Sequence, residues 1–411
     1  MARKKRLVAA LVATVAATAL ALAGCSGSSG GGSSASGGPA TGEPYVLGFT
    51  SDFSSNFGYL GTGLRSGLDA YWDALNEAGG IDGHPVKMVS LDDASQADRG
   101  SANVTQLITQ DGAIGIVGVM YSAICAGVVP ILQQYQVPEM CGVVSGDLVN
   151  PVNPLVYATT TDQASYAAPQ VSMAQKLMDD AGRKDAKVAI LYATGSSAIE
   201  QWATAVGDLS TSLGWDVVDV EKVPQTAVDM STELTKIIAA KPDVLILGAG
   251  NDAWVTAGMA QLEAAGNPFP IVSYDVPSWS TVQKIADDSF YYVSALAYPD
   301  PSSTEPGMAR FIADTKAADV DPAGPYVLRG YLQAAIFADA LGRCGWPCTG
   351  EQLQTALDDT DLDTQGLIDG NAELSPTNHT PVVSLAAYQW PEGAAAPEIA
   401  AGGLPAGLTL K

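Results

Sequence analysis

The chain has 411 residues, of which 47% are hydrophobic and only 16% are charged, with a mean hydropathy of +0.14. This length and composition predict two or three domains with sizeable cores and exclude a wholly disordered chain. A net charge of −24 makes nucleic acid a poor partner, because phosphates would be repelled from most of the surface. The only two histidines, His84 and His379, exclude a histidine-rich metal site.

The first 24 residues have the pattern of an export signal. A basic start, Arg3-Lys4-Lys5-Arg6, is followed by an unbroken run of apolar and small residues from 7 to 23. The string Leu22-Ala23-Gly24-Cys25 resembles the bacterial lipobox, in which the cysteine is diacylated and becomes the mature N-terminus. An ordinary cleaved signal or an uncleaved anchor is the alternative. Because two acyl chains anchor stably, we expect the protein at the outer face of the cytoplasmic membrane, lipid-anchored through Cys25.

Residues 25–43 form a predicted flexible tether between this anchor and the folded body. They are almost entirely glycine, serine, alanine, proline and threonine, a composition typical of random-coil linkers. No later stretch approaches about 18 consecutive apolar residues, so we expect no second membrane span.

From Tyr45 onward, strand-like apolar runs alternate with helical runs. Such alternation is typical of an α/β fold with parallel sheets and helices on both faces. Two sets of these units predict two doubly wound parallel-sheet lobes. Strands are predicted at 45–50, 86–91, 113–118, 137–143, 187–192, 215–223, 244–248 and 271–274. Helices are predicted at 60–75, around 104–108, and at 123–135, 199–213, 234–240 and 253–265.

The loops that follow the predicted strands are the candidate binding segments. In doubly wound sheets, ligands bind beyond the carboxyl ends of the strands. Most of these loops are rich in glycine, serine, aspartate or aromatic residues, although turn formation alone accounts for part of this composition. The loops are residues 51–59, 92–95, 119–122, 143–147, 193–197, 249–252 and 275–279.

One string carries a family resemblance. Residues 77–86, Glu-Ala-Gly-Gly-Ile-Asp-Gly-His-Pro-Val, followed by Leu91-Asp92-Asp93, resemble the signature of leucine/isoleucine/valine-type periplasmic binding proteins. Those proteins are the solute receptors of ABC importers. The similarity covers roughly residues 45–390. It implies the type I periplasmic-binding fold, with two lobes joined by a three-segment hinge.

The resemblance also implies how the chain is divided between the lobes. We expect residues 44–160 and 299–363 in the first lobe, and residues 161–298 and 364–411 in the second. The three crossings are expected near 159–162, 297–301 and 364–370.

The resemblance further implies a ligand set. Ser122 and Ala123, at the start of a helix, would take a carboxylate, since a hydroxyl cap and free N–H groups suit an anion. Val143 and Ser145 would line the same end of the pocket. Asp275 would take an ammonium from the second lobe. The alternatives are a plain helix cap for Ser122, a turn residue for Ser145, and a cap or solvent-facing acid for Asp275.

Two departures from the family pattern bear on the ligand. Ser197 and Asn251 stand close to the positions of two family tyrosines that close over the ligand. Phe57, Tyr121 and Tyr326 are candidates to line the cleft instead, as are Trp254 and Trp279. The pocket is therefore expected to admit a ligand larger or more polar than leucine.

Four cysteines besides Cys25 predict two disulfides in an exported protein. Three pairings are possible. We expect Cys344 to pair with Cys348, which closes a small loop, and Cys125 to pair with Cys141, because both sit at the ends of neighbouring units. Zinc binding at Cys344 and Cys348 lacks a second ligand pair. The usual first-lobe disulfide of the family is missing, with Ser95 and Tyr121 in its places.

No motif for catalysis is present. The sequence contains neither a phosphate-binding glycine loop nor a nucleophile elbow, so we expect no enzyme activity, no cofactor and no metal. The expected function is capture of a small amino-acid-like ligand by a monomer, for delivery to the membrane subunits of an ABC permease. The alternative is a ligand sensor of the same fold that signals to a membrane receptor or kinase.

Overall fold

The computed structural model of the protein describes residues 38–55, 58–194, 197–248, 250–266, 269–275, 277–391 and 393–410. The predicted signal, Cys25 and Phe57 lie outside these residues. Within the described ranges, no helix combines the length and the apolar character needed to cross a bilayer.

The first lobe is built on a parallel five-stranded sheet in the order β2-β1-β3-β4-β5. Strand β1 (Tyr45–Ser51), second in that order, buries Tyr45, Leu47 and Phe49 on one face, as the apolar run predicts. Gly79 and Gly80, both with positive φ, follow the first helix and turn the chain into β2. The elements are β1 (Tyr45–Ser51), α1 (Gly58–Glu77), β2 (Val86–Asp92), α2 (Ala97–Thr109), β3 (Gly115–Val119), α3 (Ser122–Tyr135), β4 (Glu139–Cys141), α4 (Gly146–Val149) and β5 (Val156–Ala158).

The chain then builds most of the second lobe, after a short 3-10 turn at Ala164–Tyr166. Its inner strand β8 (Val244–Gly248) is buried along its whole length, as expected for a parallel strand covered on both faces. The elements are α5 (Ala167–Asp180), β6 (Lys187–Thr194), α6 (Ser197–Ser212), β7 (Asp216–Pro224), α7 (Ser231–Ala240), β8 (Val244–Gly248), α8 (Asp252–Ala264), β9 (Ile271–Tyr274), α9 (Trp279–Ile285) and β10 (Phe290–Ser294).

The last part of the chain returns to the first lobe and then completes the second. Its elements are α10 (Pro306–Ala317), α11 (Val327–Cys344), α12 (Gly350–Leu357), β11 (Asp361–Asp363), β12 (Asn371–Glu373), β13 (Ser384–Gln389) and β14 (Glu398–Pro405). Helix α11 packs against α1. Strands β13 and β14 extend the second sheet to the order β14-β13-β10-β9-β8-β6-β7.

Helices α1 and α11 approach each other backbone to backbone. A Cβ atom on Gly67 would lie 1.9 Å from the Val327 carbonyl oxygen, and one on Gly330 would lie 1.9 Å from the Leu64 carbonyl oxygen. No side chain fits in so small a gap, so glycine is required at both positions. This contact fixes the position of α11 relative to β1 and to the residues that follow β1 in the chain.

The prediction of an α/β fold with two parallel-sheet lobes is confirmed. Two details differ. The strand predicted over 137–143 is only Glu139–Cys141, and the second sheet ends in two antiparallel strands, β13 and β14. The antiparallel end arises because β13 enters from the first-lobe side and β14 follows it through a short loop, whereas parallel pairing needs a crossover helix.

Candidate ligand-binding site

A cavity of about 490 Å³ lies between the two lobes, beyond the carboxyl ends of their strands. Its volume falls within the range of roughly 300–1,000 Å³ that is usual for small-molecule sites. Its wall combines apolar side chains with hydroxyls, amides and a few charges. The lining residues are Tyr59, Leu60, Met120, Tyr121, Ser122, Ala123, Ala126, Val143, Ser145, Asp147, Thr160, Thr161, Gln163, Tyr166, Ser197, Ile199, Gln225, Asn251, Tyr274, Asp275, Tyr326 and Arg329.

The structure brings together nearly all of the residues that the sequence singled out. Those that line the cavity are Tyr121, Ser122, Ala123, Val143, Ser145, Ser197, Asn251, Asp275 and Tyr326. Phe57 lies outside the described residues. Trp254 is buried in the core instead, and Trp279 faces a separate small cavity of about 40 Å³ behind Asp275. Binding by each lining residue stays a prediction.

Helix α3 points its N-terminus at the cavity. The expectation that Ser122 is the capping residue is wrong, because Tyr121 occupies that position without a side-chain cap bond and Ser122 begins the helix. The Ser122 hydroxyl instead lies 3.4 Å from the Val143 carbonyl oxygen. The amides of Ile124 and Cys125 donate to the Tyr121 carbonyl, whereas those of Ser122 and Ala123 find no backbone acceptor among the described residues.

Ser145 stands beside this helix end, on the loop after β4. Its side chain is buried at 5% exposure, yet its hydroxyl makes no hydrogen bond within the described part of the chain. The hydroxyl oxygen keeps contact with solvent, because Ser145 lines the cavity, and it is therefore accessible to a bound ligand.

Asp275, at the end of β9, is the centre of a buried polar cluster. Its Oδ2 accepts hydrogen bonds from the Tyr166 hydroxyl at 2.8 Å and the Ala295 amide at 3.2 Å. The Arg329 guanidinium donates to the same oxygen at 3.4 Å, and both charged side chains are only 6% exposed. Burial raises the pKa of Asp275, and the positive charge of Arg329 opposes that shift.

Arg329 was not found by sequence reasoning, although it connects the two lobes. It lies on α11 of the first lobe and pairs with Asp275 of the second. Its Nη1 also donates to the Gly142 carbonyl at 3.0 Å and to the Thr160 hydroxyl at 2.7 Å. Burial alone would lower the pKa of Arg329, but the charge of Asp275 raises it instead. The guanidinium is therefore held as a permanent cation at the base of the cleft.

Tyrosines supply much of the wall around this ion pair. Tyr326 lies under the Arg329 guanidinium, 5.1 Å from it to the ring centroid, and burial raises the pKa of Tyr326 to about 12. Tyr326 has φ +59°, a left-handed conformation that is costly for a bulky residue and places its ring at the start of α11. The Tyr274 hydroxyl accepts a hydrogen bond from Gln163 Nε2 at 2.7 Å.

The structure contains disulfides between Cys125 and Cys141 and between Cys344 and Cys348. The first disulfide joins α3 to β4. Ser122 begins α3 at the cavity, and Val143 follows β4 at the cavity. A carboxylate oxygen of Glu139 lies within 4.8 Å of both sulfurs of this disulfide. Because the sulfurs are bonded to each other, they are not available as thiolate ligands, and the cluster is not a metal site in this form.

Several known proteins share this architecture. A model of the periplasmic binding protein family matches residues 44–395. A Leu/Ile/Val-binding protein homologue from Brucella abortus is 23% identical over 362 residues, which cover 84% of this chain and 89% of that protein.

Two solved structures are similar in fold. A branched-chain amino acid ABC transporter protein from Thermus thermophilus with bound valine has a TM-score of 0.77 at 15% identity, covering 89% of this chain and 97% of that one. An ABC transporter solute-binding protein from R. palustris in complex with benzoate has a TM-score of 0.72 at 18% identity, covering 88% and 97%. Because the family model spans most of the chain, the protein belongs to the periplasmic binding protein family, whose members are extracytoplasmic substrate-binding proteins of ABC transporters and not enzymes.

Proposed function

We propose that the protein is a membrane-anchored receptor of an ABC importer, which captures a small amino-acid-like ligand between its lobes and delivers it to the permease. The observation that carries this proposal is the cavity at the carboxyl ends of both sheets, lined by residues from both lobes. A ligand bound there contacts both lobes, so its binding energy favours the closed form. A permease would then distinguish loaded from empty receptor by shape.

The lining supports a ligand with a carboxyl group. The free amides at the start of α3, the Ser122 hydroxyl and the unpartnered Ser145 hydroxyl lie on one side of the cavity. Helix N-termini favour anions through their N–H groups and dipole. The bound valine and benzoate of the two solved relatives both carry a carboxylate.

The same proposal covers the anchor and the division into lobes. Cys25 would carry the lipid, residues 25–43 would form the tether, and the body would act as a monomer. The lobes would comprise residues 44–160 with 299–363, and residues 161–298 with 364–411.

A ligand screen tests the binding function. We expect a thermal-shift panel of amino acids, amides, polyamines and aromatic acids to give hits among the carboxylates, because binding to the native state alone raises the melting temperature. Calorimetry of each hit should give one site per chain. A panel in which only the polyamines stabilise the protein would contradict the proposed ligand class.

A further inference from the structure

The second-lobe carboxylate that faces the cavity already has a cation. Asp275 is bound on Oδ2 by Tyr166, the Ala295 amide and Arg329, and all of these contacts come from the protein itself. In a site built for an amino acid, a carboxylate at this place would be completed by the ammonium of the ligand. Here the guanidinium of Arg329 supplies that positive charge.

Arg329 is not placed to withdraw when a ligand enters. Its Nη1 is held by the Gly142 carbonyl and the Thr160 hydroxyl, and its guanidinium stacks over Tyr326. The helix that carries it is fixed by the backbone contact between Gly330 and Leu64. A ligand ammonium that approached Asp275 would therefore meet a buried like charge beside it, and like charges across a desolvated contact are strongly unfavourable.

The cavity also keeps features that recognise a carboxylate. The Ser145 hydroxyl opens to the cavity and makes no hydrogen bond within the described residues, and the amides of Ser122 and Ala123 are free of backbone acceptors there. Apolar wall is supplied by Leu60, Met120 and Ile199. The site thus offers an anion subsite and an apolar body, but Asp275, the carboxylate available for an ammonium, is already paired on Oδ2 with Arg329.

We propose that Arg329 is a specificity-determining residue that excludes amino acids, so that the ligand is a small monocarboxylate with an apolar or aromatic body and no α-ammonium group. This inference rests on the proposed function and narrows its ligand class. Arg329 acts by occupying the position that the ligand's ammonium would need, next to Asp275.

The first test uses the unmodified full-length protein and needs no mutation. Calorimetry compares ligand pairs that differ only in the amino group: leucine with 4-methylpentanoate, and phenylalanine with 3-phenylpropanoate. In at least one pair, we expect the affinity of the acid without the amine to be at least about 100-fold higher than that of its amino acid. This is the scale of an unfavourable buried charge contact. Amino acids that bind as tightly as their partners would overturn the inference but leave the proposed function standing.

The second test uses Arg329→Gln, which removes the cation and leaves Asp275 free for an ammonium. We expect the preference for the acid over the amino acid to fall at least tenfold in this variant. The matched control is Arg310→Gln, which removes an exposed arginine on α10 whose partner Asp314 also lies outside the cavity; it should keep the wild-type preference. An unchanged preference in Arg329→Gln would overturn the inference.

Two further outcomes are informative. If Arg329→Gln does not fold, the comparison of ligand pairs on the wild-type protein still decides whether amino acids are excluded. The double variant Arg329→Gln/Asp275→Asn then serves as the variant, because it removes both charges together. If neither member of any pair binds, while another class in the screen does, both the inference and the amino-acid-like ligand of the proposed function are overturned.

Discussion

Arg329 and Asp275 form a buried ion pair whose members depend on each other. Each side chain is only 6% exposed, and each lies on a different lobe. Removing one partner leaves the other as an uncompensated buried charge, which costs more than the pair itself contributes. The single variants and the double variant should therefore differ in stability in a characteristic way.

We expect Asp275→Asn and Arg329→Gln each to lower the free energy of unfolding by about 3 kcal/mol, because each leaves one buried charge unpaired. The double variant should recover most of this loss. Urea unfolding of all four proteins gives the coupling energy of the pair. Strictly additive losses would show that the two charges do not interact in the folded protein.

Glu139 presents the opposite case, a buried carboxyl without a partner. It is fully buried on β4, neither oxygen has a hydrogen-bond partner among the described residues, and burial raises its pKa well above the ordinary value of 4.5. The folded protein therefore holds a proton on Glu139 at pH values at which the unfolded chain has released it.

This difference predicts a pH dependence of stability. The stability that Glu139 contributes is fully present below its unfolded pKa and is lost as the pH rises through the raised folded pKa. The glutamine of Glu139→Gln cannot ionise. The free energy of unfolding of this variant should therefore increase relative to that of the wild type as the pH rises from about 4.5, by at most about 1.4 kcal/mol per pH unit. Denaturant unfolding from pH 4.5 to 8 measures the difference, which should stay constant with pH if Glu139 is charged in the folded state.

Sequence reasoning located residues at and just beyond the strand ends, but not Arg329 on α11. The segments that contain Ser122, Val143 and Asp275 follow from the strand pattern, because parallel strands all bring their carboxyl ends to the same edge. The family resemblance then selected these three residues within the segments. Arg329 reaches the cavity from a helix far along the chain, through packing that no local pattern encodes. Its only signal was a charge inside an apolar stretch, since buried arginines need a partner.

At the scale of elements, local sequence patterns likewise predict some elements, whereas others depend on tertiary packing. Most of the alternating runs up to β9 were predicted from their apolar pattern, but helix α5 was not. The three-residue strands β4 and β5 are too short for a period, and β13 and β14 gain their partners only when the chain has returned from the first lobe. The placement of these strands therefore depends on tertiary packing and not on the local sequence pattern.

The two disulfides should differ in their effect on stability. Cys125 and Cys141 are separated by 16 positions, and Cys344 and Cys348 by 4. In the chain-entropy model, replacing the first pair by alanine should cost about 3 kcal/mol and the second about 2 kcal/mol. Because only the first pair joins the two cavity segments of the first lobe, its loss should also weaken ligand binding. Calorimetry and denaturant unfolding of both double variants check this; equal ligand affinity in the two would contradict a positioning role for Cys125–Cys141.

At the scale of the whole molecule, the lobes are linked by three chain segments. They lie between β5 and the 3-10 turn, between β10 and α10, and between α12 and β13. The third is attached to the first sheet, since His379 Nδ1 lies 2.9 Å from the Val156 carbonyl oxygen and the Ala158 amide donates to the His379 carbonyl. The third segment is therefore held to the first lobe before the chain enters β13.

The anchor is a prediction about the whole molecule and its position in the cell. If Cys25 carries two acyl chains, the protein should partition into the detergent phase and incorporate labelled palmitate. Cys25→Ala should release the protein or stall its processing, while its ligand affinity stays unchanged because Cys25 precedes the folded body. A mature N-terminus downstream of Cys25 would falsify the lipid anchor.

The close contact of α1 with α11 has a consequence for how such a receptor can change its ligand over evolution. Because Gly67 and Gly330 let the two helix backbones meet directly, the position of Arg329 is set by backbone packing and depends little on the side chains of the surrounding core. A substitution of either glycine would push α11 outward and carry the guanidinium away from Asp275. Ligand preference could then shift through a residue that never meets the ligand, so relatives with bulkier residues at these two positions are the ones in which to look for a different cargo.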